Sequence, residues 1–260
     1  MKIYRLAALE TNYFWLLQPD AEHPDAYIFD PGDAAPVLAA LKQYDLTLAG
    51  IVLTHHHGDH TDGVDGLLQQ QPVPVYGPDS ARIAQVTQPL YNGDTLNLGS
   101  SSWQVIATPG HTLDHLVYYC PEPEGILIAG DTLFAAGCGR MFEGTPEVFF
   151  ASLLTLAQLP SNTQLYCSHE YTQDNLAFAS AVEPHNTAIA ERLESVRQLR
   201  QRGESSVPST LATELATNPF LRCHQASVMA SARAHSGQPL ASTVEVFAAL
   251  RGWKDNFRPN

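Results

Sequence analysis

The stretch Thr54-His55-His56-His57-Gly58-Asp59-His60 decides how this chain is read. It holds four histidines and a carboxylate, directly after the apolar run Ile51-Val52-Leu53. An extended run alternates its side chains, so His55 and His57 present imidazoles side by side while His56 points away. Asp59 and His60, adjacent near a turn, can diverge toward a second point. That suits two metal ions close together better than one. Imidazole and carboxylate without thiolate favour zinc, iron or manganese over soft, thiolate-bound metals. A solvated surface cluster is the plainer alternative, and the donors downstream weigh against it.

Those donors are Pro109-Gly110-His111, Gly130-Asp131-Thr132 and Ser168-His169-Glu170. Each follows a short apolar run that reads as a strand, at 103–107, 126–129 and 164–167. Polar residues just past the ends of buried strands are how a layered α/β domain sets a site on a rigid frame. Singly, each motif is a turn, a cap or an ordinary hydrogen-bonded histidine. Together with the histidine run they form a strong signal.

The remaining sequence divides near residue 172. Before it, strand-like runs alternate with helical patterns, which predicts sheets covered by helices. Tyr27-Ile28-Phe29 leads into the turn Asp30-Pro31-Gly32, and Val73 to Tyr76 reads as another strand. Thr145-Pro146-Glu147 reads as a cap, a first-turn proline and an acidic start, with Phe149, Leu153 and Leu156 on one face. After 172 the strand-like runs stop. Helices are expected from Asp174 to Val182, from an Asn186 cap to Gly203, from Leu211 to Ala216 and from Thr243 to Leu250.

Composition narrows the class. At 260 residues and 44% hydrophobic content the chain can bury a full core and still carry a second, smaller domain. A net charge of -13 argues against a nucleic-acid partner. No apolar run approaches the roughly 20 residues that span a bilayer, and the start of the chain, with Glu10 and Asn12, lacks a signal-peptide pattern. Cys120, Cys138, Cys167 and Cys223 are scattered, which reads as reduced thiols in a cytoplasmic protein. Cys138, between two glycines, reads as a small residue filling a tight turn.

The histidine run with His111, Asp131 and His169 in that order resembles the dinuclear site of the metallo-β-lactamase superfamily. Further stretches resemble one branch of it, glyoxalase II, the hydroxyacylglutathione hydrolases. They are Gly130-Asp131-Thr132-Leu133-Phe134, the run from Gly137-Cys138-Gly139-Arg140 to Thr145, and His169-Glu170-Tyr171-Thr172. Asn218-Pro219-Phe220-Leu221-Arg222 and the ending from Arg251-Gly252-Trp253-Lys254 to Phe257 belong with them. The similarity spans essentially the whole chain.

The resemblance implies a four-layer αββα sandwich over residues 1–172 as catalytic domain and a small all-helical, substrate-binding domain over 173–260. It implies that His55, His57 and His111 hold one metal, and that Asp59, His60 and His169 hold the other. Asp131 would bridge the two, one oxygen to each. Zinc is the first expectation, with iron or manganese as alternatives. Asp59 and Asp131 are the catalytic carboxylates of that scheme, and a hydroxide shared by the metals is its nucleophile.

The implied reaction is hydrolysis of S-D-lactoylglutathione to glutathione and D-lactate, the second step of methylglyoxal detoxification. The partner is therefore a small glutathione thioester, with neither nucleic acid nor membrane involved, and a monomer is expected. Arg140, Phe142, Tyr171, Arg251 and Lys254 match the glutathione-binding positions. Arg140 stands where the best-known animal version has Lys and keeps the charge; Phe142 replaces a Tyr and loses a hydroxyl. Asp30, His56 and His115 are candidates to support the ligands, with a plain turn as the alternative for Asp30. Rival readings are a lactonase or β-lactamase, a glutathione-persulfide dioxygenase, and a non-catalytic binding protein.

Overall fold

The chain opens with an antiparallel pair, β1 (Lys2–Ala8) and β2 (Asn12–Gln18), and every residue of β2 is buried. Burial on both faces explains why Tyr13-Phe14-Trp15-Leu16-Leu17 shows no polar alternation. The structure, a computed structural model, describes residues 1–122 and 124–258. By packing, the chain falls into two units: Met1–Thr108 with Asp114–Gly130, and Pro109–Leu113 with the chain from Asp131 onward.

In the first unit, β2 continues antiparallel into β3 (Asp25–Phe29). Helix α1 (Ala34–Tyr44) then crosses to β4 (Thr47–Val52), which lies parallel to β3. Asp33 caps α1 by accepting from the Ala35 amide, a contact worth about 1 kcal/mol. The single turn α2 (Gly58–Thr61) and helix α3 (Val64–Gln70) lead to β5 (Val75–Pro78) and β6 (Gln88–Leu90), completing a sheet of order β1-β2-β3-β4-β5-β6. Strand β5 starts two residues later than Val73 suggests, just past Pro74, which cannot donate to a ladder. The strands β7 (Thr95–Leu98), β8 (Ser101–Ala107), β9 (Leu116–Cys120) and β10 (Ile126–Gly130) form a second, antiparallel set in the order β10-β9-β8-β7. Phe29 of the first sheet meets Trp103 and Tyr118 of the second at ring distances of 5.6 and 5.8 Å, so the two faces share one core.

The second unit begins with a short hairpin, β11 (Leu133–Phe134) and β12 (Gly137–Cys138), turned by Ala136 at φ 56°. Helix α4 (Pro146–Leu156) is capped by Thr145 with Pro146 in its first turn, as its sequence predicts. Strand β13 (Gln164–Cys167) precedes α5 (Thr172–Val182) and α6 (Thr187–Gln201), the latter capped by Asn186. A two-residue strand, β14 (Ser209–Thr210), pairs with β13, so strand pairing does not stop at 172; the segment is too short for period-two alternation to reveal it.

Helices α7 (Leu211–Thr217), α8 (Ala226–Ser236) and α9 (Thr243–Asn256) follow. Helix α8 escapes a pattern search because it buries only Val228 and Ala232. Helix α9 runs past Leu250 to Asn256, started by a Ser242/Glu245 capping box, so Arg251 and Lys254 sit on a helix and not in a loose tail. Phe149, Phe150, Phe220 and Phe247 knit α4 to α9 at ring distances of 5.3 to 5.9 Å. Among the described residues no helix is long and apolar enough to cross a membrane.

Candidate active site

The first unit contributes the histidine run. It begins where β4 ends, so His55 to His57 lie beyond the strand while Asp59 and His60 lie on α2. His55 Nε2 and His57 Nδ1 stand 3.0 Å apart, and His60 Nε2 lies 3.4 Å from Asp59 Oδ2. Donors held about 2.0–2.1 Å from one tetrahedral ion are separated by about 3.4 Å, so both pairs are spaced as ligands of a metal. Their far sides are occupied. His55 Nδ1 meets Thr54 Oγ1 at 3.0 Å, and His60 Nδ1 lies 3.1 Å from Asp30 Oδ2. Each contact occupies Nδ1 and leaves the opposite nitrogen, Nε2, available to a metal.

Asp30 is thus more than a turn residue. Held at φ 51°, its carboxylate also accepts from the Thr54 amide at 2.7 Å and from the Thr54 hydroxyl at 2.8 Å. His115 stacks on His55 at 4.8 Å, with its Nδ1 3.1 Å from Thr108 Oγ1. His56 turns elsewhere: its Nδ1 lies 2.9 and 3.0 Å from the Asp114 oxygens, and its Nε2 lies 2.8 Å from Arg82 Nη1. A guanidinium can only donate, so Nε2 accepts and Nδ1 carries the proton toward Asp114.

The second unit contributes Asp131. Its Oδ2 lies 3.5 Å from His111 Nε2 and its Oδ1 lies 3.4 Å from His169 Nε2. A carboxylate with a different imidazole at each oxygen, both at ligand spacing, fits a residue divided between two ions. His111 Nδ1 donates to the Arg140 carbonyl at 2.7 Å, which again leaves Nε2 for the ion. His169 is backed by Tyr171, whose ring is stacked on it at 4.7 Å.

Two glycines explain the motifs around Asp131. At Gly130 (φ +50°) a Cβ would meet His115 Nε2 and Thr54 Oγ1 at 2.7 Å. At Gly139 it would fall 2.0 Å from the Asp131 carbonyl oxygen. Neither position can carry a side chain without moving a ligand or its support.

The hairpin that follows Asp131 is held by side chains from distant helices. Asn175 on α5 donates to the Ala135 carbonyl, and Asn218 donates to the carbonyls of Phe134 and Gly137. Glu214 on α7, fully buried, accepts from the Ala136 amide at 2.6 Å and from Arg192 at 2.6 Å. Arg251 on α9 donates to the carbonyls of Cys138 and Gly139 at 3.0 and 3.3 Å. Asn218 stands in a recognisable motif whose sequence assigns it no task, and nothing in the sequence around Asn175, Glu214 and Arg192 marks them for one. Asn12, in sequence only a polar residue, donates to Asp59 Oδ2 at 2.9 Å.

Beyond the hairpin lies a cavity of about 470 Å³. Its walls include His111 and Asp131 together with Arg140, Phe142, Tyr171, Arg251 and Lys254. Phe142 is 60% exposed and meets the His111 ring edge-on at 5.3 Å. Lys254 is half-buried beneath the rings of Phe178 and Phe257, with Nζ 3.4 Å from the Asp174 carbonyl oxygen. Burial, with Arg251 nearby, pulls its ammonium down to a pKa of about 8. Cys138 also lines the cavity, but burial pushes its thiol up to about 11, which leaves it protonated and unsuited to nucleophilic attack. All four cysteines are buried and outside disulfides.

Comparison with known proteins agrees with this geometry. Residues 15–169 match the family model of the metallo-beta-lactamase superfamily, and residues 170–257 match that of the hydroxyacylglutathione hydrolase C-terminus. A hydroxyacylglutathione hydrolase of Pseudomonas fluorescens (strain SBW25) is 50% identical over 258 residues, covering 99% of this chain and 100% of the relative. The crystal structure of ETHE1 from Myxococcus xanthus is similar in fold, with a TM-score of 0.66 at 23% identity and 98% of each chain covered. That of TTHA1623 in a di-iron-bound form gives a TM-score of 0.59 at 26% identity, covering 85% of this chain and 100% of the other.

The fold is therefore the αββα sandwich of the metallo-β-lactamase superfamily, extended by a C-terminal helical domain. Within that superfamily the chain belongs to the hydroxyacylglutathione hydrolase family. It is an enzyme of thioester hydrolysis, and its histidine and aspartate donors suit divalent metal ions.

Proposed function

We propose that this enzyme hydrolyses S-(2-hydroxyacyl)glutathiones, S-D-lactoylglutathione foremost, to glutathione and the 2-hydroxy acid, the second step of methylglyoxal detoxification. The observation that carries this reading is the cavity in which His111 and Asp131 share walls with Arg140 and Lys254. Hydrolytic ligands and cations for a substrate's carboxylates line one space. The relatives named hydroxyacylglutathione hydrolase support the same substrate.

His55, His57 and His111 are assigned to one divalent ion and Asp59, His60 and His169 to the other, with Asp131 between them. Zinc is the first choice, and iron or manganese would suit the same donors. When bound, such a pair supplies the Lewis acidity that makes hydroxide available at neutral pH and polarises a thioester carbonyl. Asp59, steadied by Asn12, is placed to accept a hydrogen bond from the attacking water and orient it. Arg140 and Lys254 receive glutathione carboxylates, Tyr171 offers its hydroxyl, and Phe142 packs against the peptide. Arg251 adds positive charge from beneath the floor. The leaving thiolate, with a pKa of about 8.5, departs without a dedicated acid.

Residues 1–172 are proposed as the catalytic domain and 173–260 as the substrate-binding domain of a cytoplasmic monomer, a setting compatible with cysteines outside disulfides. The test is release of free thiol from S-lactoylglutathione by the purified, metal-loaded protein. Absence of thiol release overturns the reading, and parallel lactone, β-lactam and glutathione-persulfide assays then identify the reaction in its place.

A further inference from the structure

Asp255 places a carboxylate among the cations of the cavity. Its Oδ1 accepts from Arg251 Nε and Nη2 at 3.2 and 2.9 Å, and the same oxygen lies 3.6 Å from Arg140 Nε. The two arginines differ in what else holds them. Arg251 has a 7% exposed side chain and further donors on the carbonyls of Cys138 and Gly139, so the hairpin fixes it independently. Arg140 has a 59% exposed side chain, free to turn toward a ligand. The Asp255 side chain is itself 33% exposed. Asp174 is the other acidic residue on this side of the cavity, and Lys254 and Arg258 complete its charged lining.

We propose that Asp255 is a specificity-determining residue: an internal carboxylate that occupies Arg140 until a substrate carboxylate displaces it. This rests on the glutathione reading above. An incoming carboxylate is the same functional group as the one already there. It gains Arg140 only by sharing or displacing that contact, while like charges repel across a partly dehydrated space. Asp255 therefore weakens the hold on every carboxylate-bearing ligand, the product glutathione included. Bulky thioesters without a carboxylate escape the penalty, although they also forgo Arg140.

The experiment compares wild type, Asp255→Asn and Asp255→Glu, each metal-loaded, for KM with S-lactoylglutathione and for inhibition by glutathione and by glutathione diethyl ester. Asparagine keeps an oxygen for Arg251 and removes only the charge. Asp255→Asn is expected to lower KM and the glutathione inhibition constant by roughly two- to five-fold, the size of a half-exposed charge pair. Inhibition by the diethyl ester should not move, and Asp255→Glu should stay on the wild-type side. Asp255→Ser, read identically, serves if the asparagine variant does not fold. Unchanged or weaker glutathione binding in a folded, charge-neutral variant overturns the proposal, as does equal tightening toward the ester. A purely structural role would raise KM for every substrate. Wild type without thiol release would instead overturn the glutathione reading, so the two failures are distinct.

Discussion

The histidine run at residues 54–60 and the hairpin after Asp131 present metal donors in opposite ways. The run packs four of the seven assigned ligands into six consecutive residues, His55 to His60, beyond a parallel strand, and Asp30 at the end of the neighbouring strand β3 steadies it. The hairpin offers one carboxylate, and its peptide groups depend on Asn175, Glu214, Asn218 and Arg251, up to 113 residues further along. Local sequence builds the first; tertiary packing builds the second. Damage to the first should therefore read out in metal content, and damage to the supports of the second should read out in stability and substrate affinity as well.

Asp131 leads into the hairpin and is the one donor assigned to both ions, so its loss is the largest effect expected. Asp131→Ala removes a carboxylate with an imidazole at each oxygen. Metal analysis should show loss of more than one ion's share, and turnover should fall on the order of a thousand-fold. Two retained ions with near-normal thiol release would break the bridging assignment.

Glu214→Ala should come next, and it tests the hairpin's dependence on distant residues. The substitution strands Arg192 and leaves the Ala136 amide buried without its acceptor. Removing one partner of a buried ion pair costs about 3–5 kcal/mol, read by urea unfolding. Unfolding free energies within about 1 kcal/mol of each other would mean that the hairpin stands without α7.

This contrast also explains what could be read from the sequence. The candidate metal donors stood out because a metal demands particular side chains, and because strand ends place them after recognisable apolar runs. Arg140, Lys254 and their neighbours were legible only through family resemblance, since a lone cation in an acidic chain has no periodicity. Glu214 was not legible at all. In sequence it sits in an ordinary short helix, Leu211–Thr217, and only the fold brings it to the Ala136 amide. Asp30 reads from sequence both as a support for a ligand imidazole and as a plain Asp-Pro-Gly turn, and only the fold, which brings Thr54 and His60 beside it, separates the two.

Lys254→Ala should leave metal content and kcat largely intact while raising KM for S-lactoylglutathione about ten-fold, the loss of one charged contact. The pH dependence follows from the ammonium's position. Burial and Arg251 lower its pKa to about 8, while Asp174, Asp255 and Cys138 act in the opposite direction. A substrate carboxylate binds the protonated form, so wild-type KM should be lowest below pH 8 and climb above it. Bound substrate raises the pKa, which moves the same loss to higher pH in the complex. The variant should lack this component of the profile, and a wild-type KM flat from pH 7 to 9 would show that Lys254 does not meet the substrate's charge.

The smallest effect should come from His56, which separates membership of the histidine run from membership of the metal site. Its ring lies between Asp114 and Arg82, with both nitrogens engaged away from the ligand pairs. His56→Ala removes those contacts at a half-buried position, a cost of about 1–2 kcal/mol in thermal or urea unfolding. Metal content and KM should be unchanged. His56→Gln, which can still donate to Asp114 and accept from Arg82, should recover part of the stability. Loss of one ion from His56→Ala would mean that the histidine run works as a single cluster. Retention of both ions would mean that the alternation of side chains along these residues, and not their histidine content, selects the ligands.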